Sequence, residues 1–220
     1  MSPMKSRSQQ IAQLLLDLGA VSIRPDDPFR WASGLWSPIY CDNRMIISDV
    51  AGREQVASGL IQLISEHDWE PHVIAGTATA GIPHAAWVAQ ALFLPMVYVR
   101  SNSKAHGRQN QIEGRLEPGQ RVVLIEDLIS TGGSSIQAAQ ALQQAKGDVL
   151  GIAAVFEYGL KQADRAFSSC RIARHSLCRL IDLIQLLESQ NKITPDQRET
   201  MTQWQEDPQA WSDRVAQYRV

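Results

Sequence analysis

Apolar residues recur at two spacings along the 220-residue chain, and the alternation between the two predicts the fold class. Ile11, Leu14, Leu15 and Leu18 share one face at helical spacing, with Gly19 as the stop. Val56, Leu60, Leu63 and Ile64 predict a second helix, and the apolar run from His72 to Ala75, ending at Gly76, predicts a strand behind it. The series continues with a helix over Pro83–Leu92 and strands over Met96–Val99 and Val122–Ile125. A helix over Ser135–Ala145, a strand over Val149–Phe156 and a last strand over Arg171–His175 complete it. Apolar strands alternating with helices predict an α/β fold with a mostly parallel central sheet covered on both faces, because parallel strands need crossovers that lie across them.

Two stretches follow neither spacing. Arg24–Arg44 is broken by Pro25, Pro28, Gly34 and Pro38 and carries Trp31 and Trp36 among short β-like pieces, which predicts a small irregular subdomain. Arg100–Gln120 is a polar, glycine-bearing loop, and loops of such length in a compact domain are functional or mobile. Toward the C-terminus, Leu177, Leu180, Ile184 and Leu187 predict a helix, and Thr194, Pro195 and Gln197 form a capping-box start for another. The expected organisation is a single domain over 1–220. Residues 20–45 form the small subdomain, about 48–176 the core, and 177–220 a helical lid or buttress.

Composition narrows the setting. A 44% hydrophobic, 20% charged chain is globular with a real core, and 21 Lys and Arg against 23 Asp and Glu leave −2, with no field for nucleic acid or an anionic membrane. Cys41, Cys170 and Cys178 cannot all pair and form no C-x-x-C pattern, so a reducing, cytoplasmic compartment is expected. The first ten residues are polar and no run of about 18 apolar residues occurs, so no membrane insertion is expected.

The chemistry concentrates in Val122–Ser135: an apolar strand, the adjacent acids Glu126 and Asp127, Leu128 and Ile129, then Ser130-Thr131-Gly132-Gly133-Ser134 opening a helix. Glycines let several N–H groups converge, the helix start adds positive partial charge, and the hydroxyls donate to the same anion. A phosphate suits that turn. The acids would repel it and must address hydroxyls or a metal, so a sugar phosphate satisfies both halves. Gly76–Gly81 has the glycine spacing of a P-loop, but Ile82 and Pro83 stand where Lys and Ser or Thr are required. No dinucleotide G-x-G-x-x-G, H-E-x-x-H or G-x-S-x-G pattern occurs either.

The Val122–Ser135 segment resembles the phosphoribosyl pyrophosphate (PRPP) motif of type I phosphoribosyltransferases. Phe29–Arg44, with its Ser33-Gly34, Ser37-Pro38, Tyr40 and Asp42-Asn43-Arg44, is similar to the N-terminal segment of the orotate phosphoribosyltransferase family, and Tyr98–Gly107 to its mobile catalytic loop. The resemblance runs from about Ala12 to Phe156. It implies a type I phosphoribosyltransferase fold whose small N-terminal subdomain forms a hood. It also implies magnesium-dependent transfer from PRPP to orotate, giving orotidine 5'-monophosphate and pyrophosphate, by a homodimer in which the loop lysine reaches the neighbouring subunit's site. Lys104 and Asp127 are then the catalytic residues. PRPP is held by Arg100, Lys104, His106, Glu126, Asp127, Leu128, Ile129, Ser130, Thr131, Gly132, Gly133 and Ser134, and orotate by Ser130. Ala32 and Ala80 replace lysines found in some orotate enzymes, and Glu157-Tyr158 stands where others carry an acid and an arginine, so those contacts are not carried over. Arg44 is the candidate partner for the orotate carboxylate. Rival readings are a transferase for a purine base or uracil and a non-catalytic PRPP sensor. His72, His84 and His175 lie inside regular elements and read as core or surface, and two of Trp31, Trp36 and Tyr40 are expected to pack the subdomain.

Overall fold

The structure, a computed structural model, describes residues 6–31, 33–101 and 111–218. Its centre is a six-stranded sheet of order β10-β9-β8-β5-β6-β7, built from β5 (Val73–Thr77), β6 (Met96–Val99), β7 (Ile112–Glu113), β8 (Arg121–Ile129), β9 (Asp148–Glu157) and β10 (Arg174–Arg179). All neighbours run parallel except β7, which turns back antiparallel on β6. The expected α/β class and mostly parallel sheet are therefore present.

Side-chain alternation on the central strands divides the core in two. Val123 and Ile125 of β8 enter one apolar cluster, which holds α1 (Arg7–Asp17), α2 (Val50–Glu66), α3 (Gly81–Leu92) and α6 (Leu180–Ser189). Val122, Leu124 and Ile129 enter the other, with α4 (Gly133–Gln144) and α5 (Lys161–Cys170). Period-two strands buried on both faces need both layers, which is why β5 is apolar without interruption from Val73 to Ala75.

The irregular stretch folds as two small antiparallel pairs. β1 (Val21–Ile23) pairs β4 (Ile39–Cys41), β2 (Phe29–Arg30) pairs β3 (Trp36–Ser37), and a 3-10 turn over Asn43–Ser48 leads into α2. The C-terminal helices α7 (Pro195–Glu206) and α8 (Pro208–Gln217) brace this unit. Ser212 Oγ accepts the N–H of Trp36 at 2.9 Å, and the Trp31 ring sits 5.6 Å from Tyr158 and 5.7 Å from Trp204. Trp31 packs as expected of two of the three aromatics, whereas Tyr40 is exposed. The capping box of Thr194, Pro195 and Gln197 is present.

Four expectations need correction. The last strand is β10, not Arg171–His175, because Arg171 adopts a left-handed conformation to end α5 and the chain needs further residues to return to the sheet. Leu177 therefore lies on β10, and the helix assigned from it begins at Leu180. No helix was expected over Lys161–Cys170. There an exposed helix buries only Ala163 and Phe167, although Ala163, Ala166, Phe167 and Cys170 do recur at helical spacing. The 100–120 stretch also contributes β7 to the sheet edge.

Candidate active site

Strand β8 carries the acids. Its pairing with β9 continues to Ile129, four residues beyond the expected end at Ile125, so Glu126 and Asp127 belong to the strand and not to the turn. The two adjacent carboxyls stay close enough to interact through their side chains, but they differ in burial and partners. Glu126 is buried: Ser135 Oγ of α4 donates to its Oε2 at 2.8 Å, and the N–H of Asp127 donates to its Oε1 at 3.1 Å. Asp127 is half-buried. Burial, followed by the neighbouring Asp127 charge, pushes the Glu126 carboxyl up to about 8, and burial raises Asp127 as well. Two desolvated carboxyls side by side resist full ionisation, which is why both are pushed upward. Arg44 opposes the rise at Asp127.

After Ile129 the chain turns through Ser130 and Thr131 into α4. Gly132 takes φ +83°, which a side chain resists, and a Cβ there would also lie 2.6 Å from Phe167. A Cβ on Gly133 would meet nothing within 4 Å, so the first turn of α4 opens outward. Its N-cap has no side-chain partner. The starts of α3, at Ala80, and α5, at Leu160, are likewise without a side-chain cap, as is α6, at Arg179, whose own N–H is taken by Asp182; Ser6, Asp49, Thr194 and Asp207 cap α1, α2, α7 and α8. Uncapped helix starts keep N–H donors and positive partial charge free for an anion.

Two cavities meet these starts. A cleft of about 790 Å³ is lined by Ser130 and Thr131, by Trp31 and Trp36 of the hood, by Lys161 and Arg165 of α5, and by α8. A smaller one, about 40 Å³, joins Thr77 and Ala78 before α3, Arg100, and Ser134 of α4. Ala78 and Thr79 are linked by a cis peptide. Arg100 Nη1 lies 3.5 Å from Glu113 Oε1, and the backbone N–H of Arg100 donates to Gln111.

Of the expected site residues, the structure brings together Asp127, Ser130, Thr131, Gly132, Gly133 and Ser134 around the β8–α4 turn, with Arg100 on the far side of Ser134. Leu128 and Ile129 pack inward. Lys104 and His106 lie outside the described residues, as does Ala32. Arg44 is held by Asp42 through bonds of 2.6 and 2.8 Å, stands within electrostatic reach of Asp127, and does not line the larger cleft. Tyr158 is buried among Trp31, Phe156 and Trp204, so the position where other family members carry arginine is given to packing. Sequence reading missed Lys161 and Arg165 on the flank of the cleft, because α5 went unrecognised; the helical spacing of Ala163, Ala166, Phe167 and Cys170 was the available signal. Among the described residues no three His, Cys, Asp or Glu side chains group to hold a metal ion.

Comparison with known proteins agrees with this geometry. The family model described as "Phosphoribosyl transferase domain" matches residues 46–173. An orotate phosphoribosyltransferase of Staphylococcus aureus (strain Mu50 / ATCC 700699) is 50% identical over 199 residues, covering 90% of this chain and 98% of that protein. One from Listeria innocua is 48% identical over 206 residues, covering 94% and 99%. The crystal structure of orotate phosphoribosyltransferase from Aeropyrum pernix superposes with a TM-score of 0.72 at 27% identity, over 84% of this chain and 99% of that one. With an acid-bearing strand running into an uncapped glycine turn, and with half of its residues shared across nearly the whole length of such relatives, the chain belongs to the orotate phosphoribosyltransferase family.

Proposed function

We propose that this protein transfers the 5-phosphoribosyl group of PRPP to orotate, forming orotidine 5'-monophosphate and pyrophosphate in pyrimidine nucleotide synthesis. The observation that carries the reading is the uncapped start of α4 at Gly132-Gly133, directly after the half-buried carboxylate of Asp127 and beside a cleft roofed by the hood. The 5'-phosphate takes the N–H groups of Gly133 and Ser134 and the hydroxyls of Ser130, Thr131 and Ser134. Asp127 accepts from ribose hydroxyls and favours positive charge on the ring as the bond from C1 to pyrophosphate oxygen lengthens. Glu126, turned onto Ser135, supports Asp127 from behind.

Pyrophosphate departs toward Thr77, Ala78 and Arg100, with Lys104 and His106 supplied by the loop. The orotate ring nitrogen then forms the bond to C1. Preorganised donors of this kind contribute about 3 to 4 kcal/mol each. Orotate lies under the hood beside Ser130. Lys161 and Arg165 join Arg44 as candidate partners for its carboxylate, since they line the cleft that Arg44 does not.

Magnesium fits the site as a substrate-borne ion. A lone half-buried carboxylate, Asp127, suits a cation that draws most of its ligands from phosphate, ribose and water oxygens. When bound, it neutralises the charge that accumulates on pyrophosphate. The working unit is a homodimer in the cytoplasm. Phe93, at the end of α3, is 95% exposed beside a groove shared with Arg53 and Trp87, the kind of apolar surface that partners cover, and the three free thiols suit a reducing compartment.

The test is product formation from PRPP and magnesium with orotate, adenine, xanthine or uracil as acceptor. Orotidylate from orotate alone is expected. Turnover of a purine or uracil instead makes the protein a salvage transferase, and PRPP binding without turnover of any base makes it a sensor.

A further inference from the structure

The pairing of β5 with β8 ends at Gly76 opposite Ile125, while β9 follows β8 on its other side as far as Ile129. The strand end that carries Asp127 therefore has a β-neighbour on one side only. In place of the missing strand stands a side chain from the hood, 84 residues away in sequence: Asn43 Nδ2 donates to the backbone carbonyl of Asp127 at 2.6 Å. Asn43 is 1% exposed. Its orientation is determined by chemistry, because the carbonyl can only accept and so faces the amide nitrogen, leaving Oδ1 to accept from Cys41 Sγ at 3.2 Å. Burial pushes the Cys41 thiol well above its ordinary value, which keeps the donor proton in place. Asn43 is itself anchored at the start of the 3-10 turn, where Asp42 donates its N–H to Ala20 at 2.7 Å.

We propose that Asn43 is a positioning residue that ties the hood to the strand end bearing the catalytic carboxylate, so that Asp127 and the roof of the orotate cleft are held in one register. The inference rests on the reading of Asp127 as the ribose-binding acid. It follows from how steeply rate depends on placement, a 1 Å error costing on the order of a hundredfold. A buried carbonyl stripped of its donor would also seek another arrangement.

The test compares wild type with Asn43→Ala and the isosteric Asn43→Asp, using Leu183→Ala in α6 as a control for stability alone. Kcat, KM for each substrate, Tm and PRPP affinity by calorimetry with magnesium are measured across pH. Both Asn43 variants are expected to lose about tenfold or more in kcat at neutral pH, with KM for orotate changing less, whereas Leu183→Ala lowers Tm and leaves kcat near wild type while folded. Relative to wild type, Asn43→Asp recovers as pH falls, since a protonated carboxyl can again donate to the Asp127 carbonyl. Kcat within about twofold of wild type in a folded Asn43 variant, a pH-independent deficit in Asn43→Asp, or an equal kcat loss in Leu183→Ala overturns the proposal. If wild type does not use orotate, the functional reading fails and PRPP affinity decides the inference: unchanged affinity in both Asn43 variants overturns it, and weakened affinity sustains it.

Discussion

His84 is a fully buried histidine on α3 whose two ring nitrogens have no hydrogen-bond partner, with the Trp87 ring meeting it edge-on at 5.4 Å. Burial lowers it from 6.5 to about 4. The unfolded chain thus binds a proton near pH 6.5 that the folded chain refuses until about pH 4, and stability is lost as pH falls through that window, by up to about 3 kcal/mol. Glu126 acts in the opposite sense: its raised carboxyl binds a proton more tightly in the fold, so stability falls as pH rises toward about 8. Denaturant unfolding at pH 5 and pH 7 is expected to show a weaker acid loss in His84→Leu than in wild type; identical slopes would remove His84 from the account. Sequence placed His84 in a regular element but could not show an unsatisfied core residue, because satisfaction depends on neighbours from other helices. Likewise Glu126 and Asp127 read as an equivalent pair until the structure showed Glu126 buried against Ser135 and Asp127 half-buried.

Among the elements, those with a strong period were legible in sequence: α2, α3, β5, β6 and β9 fall within a few residues of expectation. What failed was local signal weaker than tertiary packing. α5 is held by Phe167, whose ring lies under Arg174 of β10, itself bonded to Glu157 of β9 at 2.9 Å and to Asp164, so the anchor comes from the strands on either side of the helix. Leu177 and Leu180 share a helical spacing by coincidence across the β10–α6 junction. The turn after β8 was legible because its chemistry is local, whereas the flanks of the cleft come from α5, α8 and the hood, which only the fold assembles. The brace between α8 and β3 has a specific consequence. Ser212→Ala removes the acceptor of the part-buried N–H of Trp36, so a loss of about 1 kcal/mol in stability is expected, together with a raised KM for orotate and little change in that for PRPP. Equal effects on both substrates in steady-state kinetics would separate the brace from the hood's role in binding orotate.

At the scale of the molecule, the formal charge of −2 conceals a basic stretch: Arg100, Lys104, Arg108 and Arg115 against Glu113. If its lysine serves the neighbouring subunit, Lys104→Ala lowers turnover about a hundredfold with folding intact, and mixing it with Asp127→Asn restores part of the activity through hybrid dimers. Absence of rescue in verified hybrids would show that each site is self-sufficient. The uncapped starts of α3, α4 and α5 also bear on the molecule as a whole. A missing cap forfeits about 1 kcal/mol, and if these N–H groups take the phosphates of PRPP as proposed, they cannot serve both the fold and the substrate. Phosphate, sulfate and pyrophosphate should therefore raise the melting temperature in proportion to their charge while competing with PRPP. A buffer chosen to protect the protein in storage will then also inhibit it.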